Sequence, residues 1–147
     1  NRSKALFTLS AICTATDELL NGLDLNITEK TELAISFWKM VSYHIKEWTM
    51  VAGGDMKSSD VRRDYICSLS ITLVSLGFAG NALIKAHPND WKERLNALAS
   101  IDWKKSNPVW ENLVFVNGKV AANRSTQRAM SSYMRSILLG LDGKENG

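Results

Sequence analysis

Leu69-Ser70-Ile71-Thr72-Leu73-Val74-Ser75-Leu76-Gly77-Phe78-Ala79-Gly80-Asn81-Ala82-Leu83-Ile84 is the longest apolar-rich run of the chain. It is too short to span a bilayer, and its serines, Thr72, two glycines and Asn81 make it too polar. Its apolar residues also fall on two sides of a helix. Leu69, Leu73, Leu76, Gly80 and Leu83 share one face; Ile71, Val74 and Phe78 lie on the other. A helix apolar on both faces sits at the centre of a domain. Gly77 and Gly80 predict a neighbouring helix backbone at close range. The pattern continues upstream through Val61, Tyr65 and Ile66, so a central helix is expected over Ser59–Lys85, capped by Ser58 or Ser59. A break near Ser68–Ser70, giving two helices in line, is the alternative.

Working outward, Gly53-Gly54 separates this helix from a preceding amphipathic stripe of Leu33, Phe37, Met40 or Val41, His44 or Ile45, and Trp48. Thr28 is the expected N-cap there, with Glu29 and Glu32 in the first turn. Ser3–Leu20 reads as a further helix, with Leu6, Leu9, Ile12 or Cys13, and Leu19 or Leu20 inward; Asn21-Gly22 closes it. Downstream, His87-Pro88 stops the central helix, and Asn89 or Asp90 caps a short one over Trp91–Ala99. Ile101-Asp102-Trp103-Lys104-Lys105-Ser106-Asn107-Pro108-Val109-Trp110 is then a loop, in which Asn107-Pro108 starts one turn of helix. Leu113–Val116, Asn117-Gly118 and Lys119-Val120 predict a β-hairpin. Asn123 or Ser125 caps a last helix with Ala129, Met130, Tyr133, Ile137 and Leu138 inward, closed by Gly140. The fold class is therefore mainly α: a compact bundle of five or six helices with one small β-hairpin near the C-terminus. Residues 1–141 form a single domain, expected to be the C-terminal part of a longer chain, and 142–147 a flexible tail.

A length of 147 residues, 45% apolar and 22% charged, suits one soluble domain. The net charge of +3 is uneven. Asn1–Ser58 holds six Lys/Arg against seven Asp/Glu, whereas Trp91–Arg135 holds eight against three. A local basic excess fits an acidic partner such as nucleic acid, and equally an ordinary solvated surface. Cys13 and Cys67 both fall in apolar helical patterns and are expected to be buried free thiols; a disulfide between them stays open.

The two histidines, His44 and His87, belong to no metal-ligand spacing, and no phosphate-cradling glycine loop or nucleophile motif is present. The carboxylates Asp17, Glu18, Asp24, Glu29 and Glu32 lie where helix caps are expected. No catalytic residues, metal or cofactor are assigned, and the chain is expected not to be an enzyme. The basic residues offer more. Arg124, Arg128 and Arg135 share one side of the last helix, Lys119 lies in the hairpin that leads into it, and Lys104 and Lys105 lie in the tryptophan loop. These six are the candidate phosphate contacts, with a solvated basic face as the plain alternative. Trp38, Trp48 and Trp91 fit helix core faces. Asp102, Trp103, Asn107 and Trp110 are expected to anchor the loop, Asp102 through an Asx-type turn or through pairing with Arg124 or Lys105. Stacking of Trp103 and Trp110 on a base is the competing possibility.

The sequence resembles the DndB family of DNA sulfur modification proteins. The likeness rests on Phe37-Trp38, Glu47-Trp48, Val61-Arg62-Arg63-Asp64-Tyr65-Ile66, Leu76-Gly77 and Trp91-Lys92-Glu93-Arg94-Leu95, in that order. Ile101–Trp110 is its most specific block, followed by Asn117-Gly118-Lys119-Val120 and Leu139-Gly140-Leu141. The resemblance implies a bacterial, cytoplasmic, DNA-binding repressor of the genes for phosphorothioation. Its expected partner is double-stranded DNA. The family also carries an N-terminal DGQHR motif that this chain lacks, so the alternative is a module for dimerisation or for docking other DNA sulfur modification proteins, without DNA contact. No family contact residue maps onto a position here.

Overall fold

The computed structural model describes residues 5–141. Seven α-helices follow in order: α1 Leu9–Leu20, α2 Ile27–His44, α3 Lys46–Ala52, α4 Ser58–Asp64, α5 Ser70–Ala86, α6 Trp91–Arg94 and α7 Arg124–Leu139. Short 3-10 turns cover Ile66–Ser68, Leu95–Ser100 and Pro108–Trp110. The strands β1 Phe115–Val116 and β2 Lys119–Val120 form one antiparallel hairpin. The mainly helical class with a C-terminal hairpin is as expected. The Asp142–Gly147 tail and the Ser3–Lys4 helix start lie outside the described residues.

The helix count rises because both long stripes are broken. α2 ends at Ile45, whose φ of −98° and ψ of 99° are extended. The break leaves the Ser42 carbonyl free, and the Thr49 hydroxyl donates to it at 2.6 Å. The predicted Ser59–Lys85 helix breaks at Tyr65–Leu69, so the in-line alternative holds. There the Ile66 N–H donates to Trp103 O at 2.8 Å, and Asp64 O accepts from Lys105 N at 2.9 Å. The tryptophan loop takes the backbone groups that a continuous helix would have used internally. The hydroxyls of Ser68 and Thr72 occupy the carbonyls of Tyr65 and Ile66.

α5 is the centre, packed against α1 on one side and α7 on the other. A methyl group on Gly77 would collide with the Ala15 carbonyl, and one on Gly80 with the Phe37 ring. This contact corrects the predicted inward face of α1. Ala11, Ala15 and Leu19 are buried, whereas Leu9, Ile12 and Cys13 are exposed, because small residues are what a close helix contact admits. Cys13 is thus an exposed thiol and Cys67 a buried one; both are free. Burial pushes the Cys67 thiol far up, and the Glu47 carboxylate adds to the shift, so it stays protonated. The Asn81 amide donates to the carbonyls of Leu19 (2.9 Å) and Asn21 (2.7 Å), closing α1 from the side.

Several caps differ from expectation. Thr8 caps α1, for which no cap is predicted from the sequence, by accepting from Ala11 N at 3.1 Å. Asn26 replaces Thr28 as the cap of α2, because Asn26 and Glu29 bond reciprocally, each side chain to the other's N–H. Lys57 precedes α4, with no side-chain cap. Asp90 precedes α6 but spends its carboxylate on His87 and Arg94, and the helix tightens to 3-10 geometry after Arg94. In α7, Met130, Met134 and Leu138 are buried; Met134 was not foreseen, and Ala129, Tyr133 and Ile137 are only partly covered.

Candidate nucleic-acid interface

The basic segment is held in place by side chains bonded to backbone. Asp102 Oδ1 accepts from Lys104 N at 3.0 Å, the expected Asx turn. Its carbonyl accepts from the Asn107 amide at 2.9 Å and from Trp110 Nε1 at 3.2 Å. Asn107 also caps the Pro108–Trp110 turn through Val109 N. Trp103 and Trp110 are buried, stacked with centroids 5.8 Å apart and 9° between planes. Trp110 meets Tyr133 of α7 edge-on at 5.7 Å. The indoles are therefore internal anchors, and their faces are not offered to a base. Trp48 and Trp91 are buried as expected, and Trp38 donates to Thr16 from a half-buried position.

From Trp110 the chain turns through the hairpin. Asn117 and Gly118 have φ of 54° and 78°, the two left-handed residues that a type I′ turn requires. Asn123 then starts α7 by a reciprocal bond with Thr126, whose hydroxyl also donates to Ala121 O. Gln127 fixes α7 on α5: its amide donates to Ile71 O at 3.1 Å and to Ser75 Oγ at 2.8 Å. Ser131 Oγ donates to the same Ser75 Oγ at 3.3 Å.

These bonds hold Arg124 and Arg128 against the N-terminal half of α5, whereas Lys104 and Lys105 sit beside the Asp64–Ile66 turn that precedes it, and Lys104 borders a different cleft. Lys104 and Lys105 follow the residue bonded to Ile66, and Gln127 is bonded to Ile71. Arg124 and Arg128 border one groove of about 720 Å³ along α5 and α7, lined also by Ile71, Val74, the exposed Phe78 and, from α1, Glu18, which forms no ion pair with either arginine. Arg135 lies on the same side of α7, two turns beyond Arg128, and Lys119 stands apart on β2.

The cations differ in what surrounds them. Arg63 is gripped by Asp64 at 2.8 Å and Asp60 at 3.3 Å, and Arg94 by Asp90 at 3.3 Å. Hydrogen bonding from Arg63 holds the Asp64 carboxyl below its ordinary range, and Lys105 adds to that pull. Lys105 itself forms no ion pair among the described residues, and its charge only adds to a pull that Arg63 dominates. Lys104, Lys119, Arg124, Arg128 and Arg135 form no ion pair among the described residues. Asp102 pairs with neither Arg124 nor Lys105; its role is the turn.

α7 has no acid in its first turn. The first turns of α2, α3, α4 and α6 each carry an acid, as the helix dipole favours; α1, α5 and α7 carry none, and of these three α7 alone opens with a cation, Arg124. One candidate side chain lies outside the site residues singled out from the sequence. Glu47 in α3 is 8% exposed and lines a separate cleft. In the sequence it has no role beyond the Glu47-Trp48 resemblance, and only the fold shows how little of it is exposed.

No helix among the described residues is long and apolar enough to cross a membrane. No curated protein and no solved structure matches the chain. The family model for DndB, described as DNA-sulfur modification-associated, matches residues 1–141. With essentially its whole length covered by that match, the chain belongs to the DndB family and is tied to DNA sulfur modification.

Proposed function

We propose that this helical domain is the DNA-contacting part of a transcriptional repressor of DNA phosphorothioation, working in the bacterial cytoplasm. It acts by binding, and the proposal assigns it no catalytic step. Double-stranded DNA is held through its phosphates by Arg124 and Arg128, with Lys104, Lys119 and Arg135 extending the contact and Lys105 contributing least. The observation that carries this reading is the exposed Arg124–Arg128 pair, one turn apart and without an acidic partner among the described residues. Arg124 also stands where the helix dipole disfavours a cation, and a bound phosphate would turn that cost into attraction. The test is an electrophoretic shift on duplex from upstream of the modification genes, across a salt series. The Lys119→Ala/Arg124→Ala/Arg128→Ala variant is expected to lose binding at moderate salt; undiminished binding would remove the site assignment.

A second reading draws on the groove lining. Phe78 is 40% exposed beside Ile71 and Val74, a composition that also suits a protein partner or a second copy of the chain. Sedimentation with and without duplex separates the two. Self-association with no salt-sensitive DNA complex would favour the interaction module.

A further inference from the structure

A cleft of about 750 Å³ opens between α2–α3 on one side and residues 98–104 on the other, away from the α5–α7 groove. That volume is within the range of small-molecule sites, about 300–1,000 Å³. Glu47 is more than nine-tenths buried at its wall and makes no hydrogen bond or ion pair with a described residue. No side-chain oxygen among the described residues is both sealed off and without a partner, so the Glu47 carboxylate opens onto the cleft, where the donors of an entering ligand can reach it. Met50, Tyr65 and Trp103 supply an apolar and aromatic surround. Lys46 and Lys104, both exposed and without an acidic partner among the described residues, stand on its border.

An acceptor open to the cleft, an apolar surround and two cations at the edge suit a ligand with N–H donors at one end and an anion at the other; Asp102, the second carboxylate of the lining, is spent in part on Lys104 N. The lysines oppose a basic peptide, which would otherwise satisfy Glu47. A nucleotide has the required polarity, and among the DNA bases only guanine presents two adjacent N–H donors, N1–H and the 2-amino group, to one carboxylate. We propose that this cleft binds a guanine nucleotide, with Glu47 accepting the two N–H bonds and Lys46 and Lys104 holding the phosphate. The site goes beyond the phosphate contact assigned to α7. It serves either a free nucleotide or a guanine extruded from a duplex.

Calorimetric titration of the intact chain with dGMP, dIMP, dAMP and 2′-deoxyguanosine tests this. Saturable binding of dGMP is expected, with dIMP, which lacks the 2-amino donor, weaker by about 10-fold, the scale of one bidentate base contact. Glu47→Gln should weaken dGMP by a similar factor. Lys46→Ala should weaken dGMP while leaving 2′-deoxyguanosine unchanged. Arg124→Ala/Arg128→Ala should leave dGMP binding intact even if that variant loses DNA, so the two proposals fail separately. Equal binding of dAMP and dGMP, or no saturation by dGMP, would overturn the assignment. Should Glu47→Gln fail to fold, the dIMP-to-dGMP ratio on the parent protein still decides. Competition by a duplex carrying one unpaired guanine assigns the base to DNA; absence of competition assigns the free nucleotide, and either upholds the site.

Discussion

Against α1, the central helix presents Gly77 and Gly80; against α7 it presents the hydroxyl of Ser75 and the carbonyl of Ile71. The first contact works by absence of side chain, so that α1 backbone and the Phe37 ring fill the space. The second works by directed hydrogen bonds, with Gln127 and Ser131 converging on Ser75. The difference has a functional side. The α1 contact is close at Gly77 and admits a polar group only at its end, where Asn81 reaches the Leu19 and Asn21 carbonyls, whereas the α7 contact is polar along its middle and rimmed by Arg124 and Arg128. Packing holds one half of the domain, and the other half trades some of that packing for an oriented polar surface.

Substitutions should separate the two kinds of contact. Removing Trp110 opens the α7 side at its anchor, since the indole stacks on Trp103 and meets Tyr133. Trp110→Ala should cost about 4 kcal/mol in chemical denaturation, as for other buried aromatics. Gly77→Ala attacks the α1 side. The helix-propensity gain of about 1 kcal/mol is outweighed by collision with the Ala15 carbonyl, and a net loss of about 2 kcal/mol is expected. A neutral or stabilising effect would show that α1 shifts freely, and the contrast between the two sides would weaken.

Gln127→Ala should cost about 1 to 2 kcal/mol, the scale for a buried acceptor left without its donor. A larger loss would mean that the polar contact is also the main packing contact. Arg63→Ala is the smallest change. Its ion pairs are at the surface, so stability should move least of the four. The depressed Asp64 carboxyl makes that small contribution present above its ordinary range and lost as the pH falls through its lowered value. The parent should therefore lose its small advantage over Arg63→Ala on acidification.

Much of this was legible in the sequence because periodicity and turn chemistry are local. The apolar run around Leu73–Leu83 declared the central helix, Asn117-Gly118 the hairpin, and Asn107-Pro108 the short turn. The breaks at Ile45 and Tyr65 were harder to place, because their compensation is non-local: the Asp64 and Ile66 backbone groups find partners in the tryptophan loop about 40 residues on. The inward face of α1 was misread for a related reason. Leu9 and Ile12 are larger and more apolar than Ala11 and Ala15, yet only the alanines let α5 approach. For the candidate interface, spacing placed Arg124, Arg128 and Arg135 on one side of α7. It could not tell a free arginine from one held by aspartates, as Arg63 is. Glu47 was invisible because its enclosure depends on residues 98–104.

The most direct measurement is the salt dependence of duplex binding, by fluorescence anisotropy, for the parent, Arg63→Ala and Arg124→Ala/Arg128→Ala. Each phosphate contact contributes about 0.9 to the slope of log affinity against log salt. The double variant should lower that slope by about 2 with its melting temperature unchanged, while Arg63→Ala keeps the parent's slope. Equal slopes for the parent and the double variant, or an equal loss from Arg63→Ala, would contradict the claim that the unpaired arginines of α7 hold the DNA.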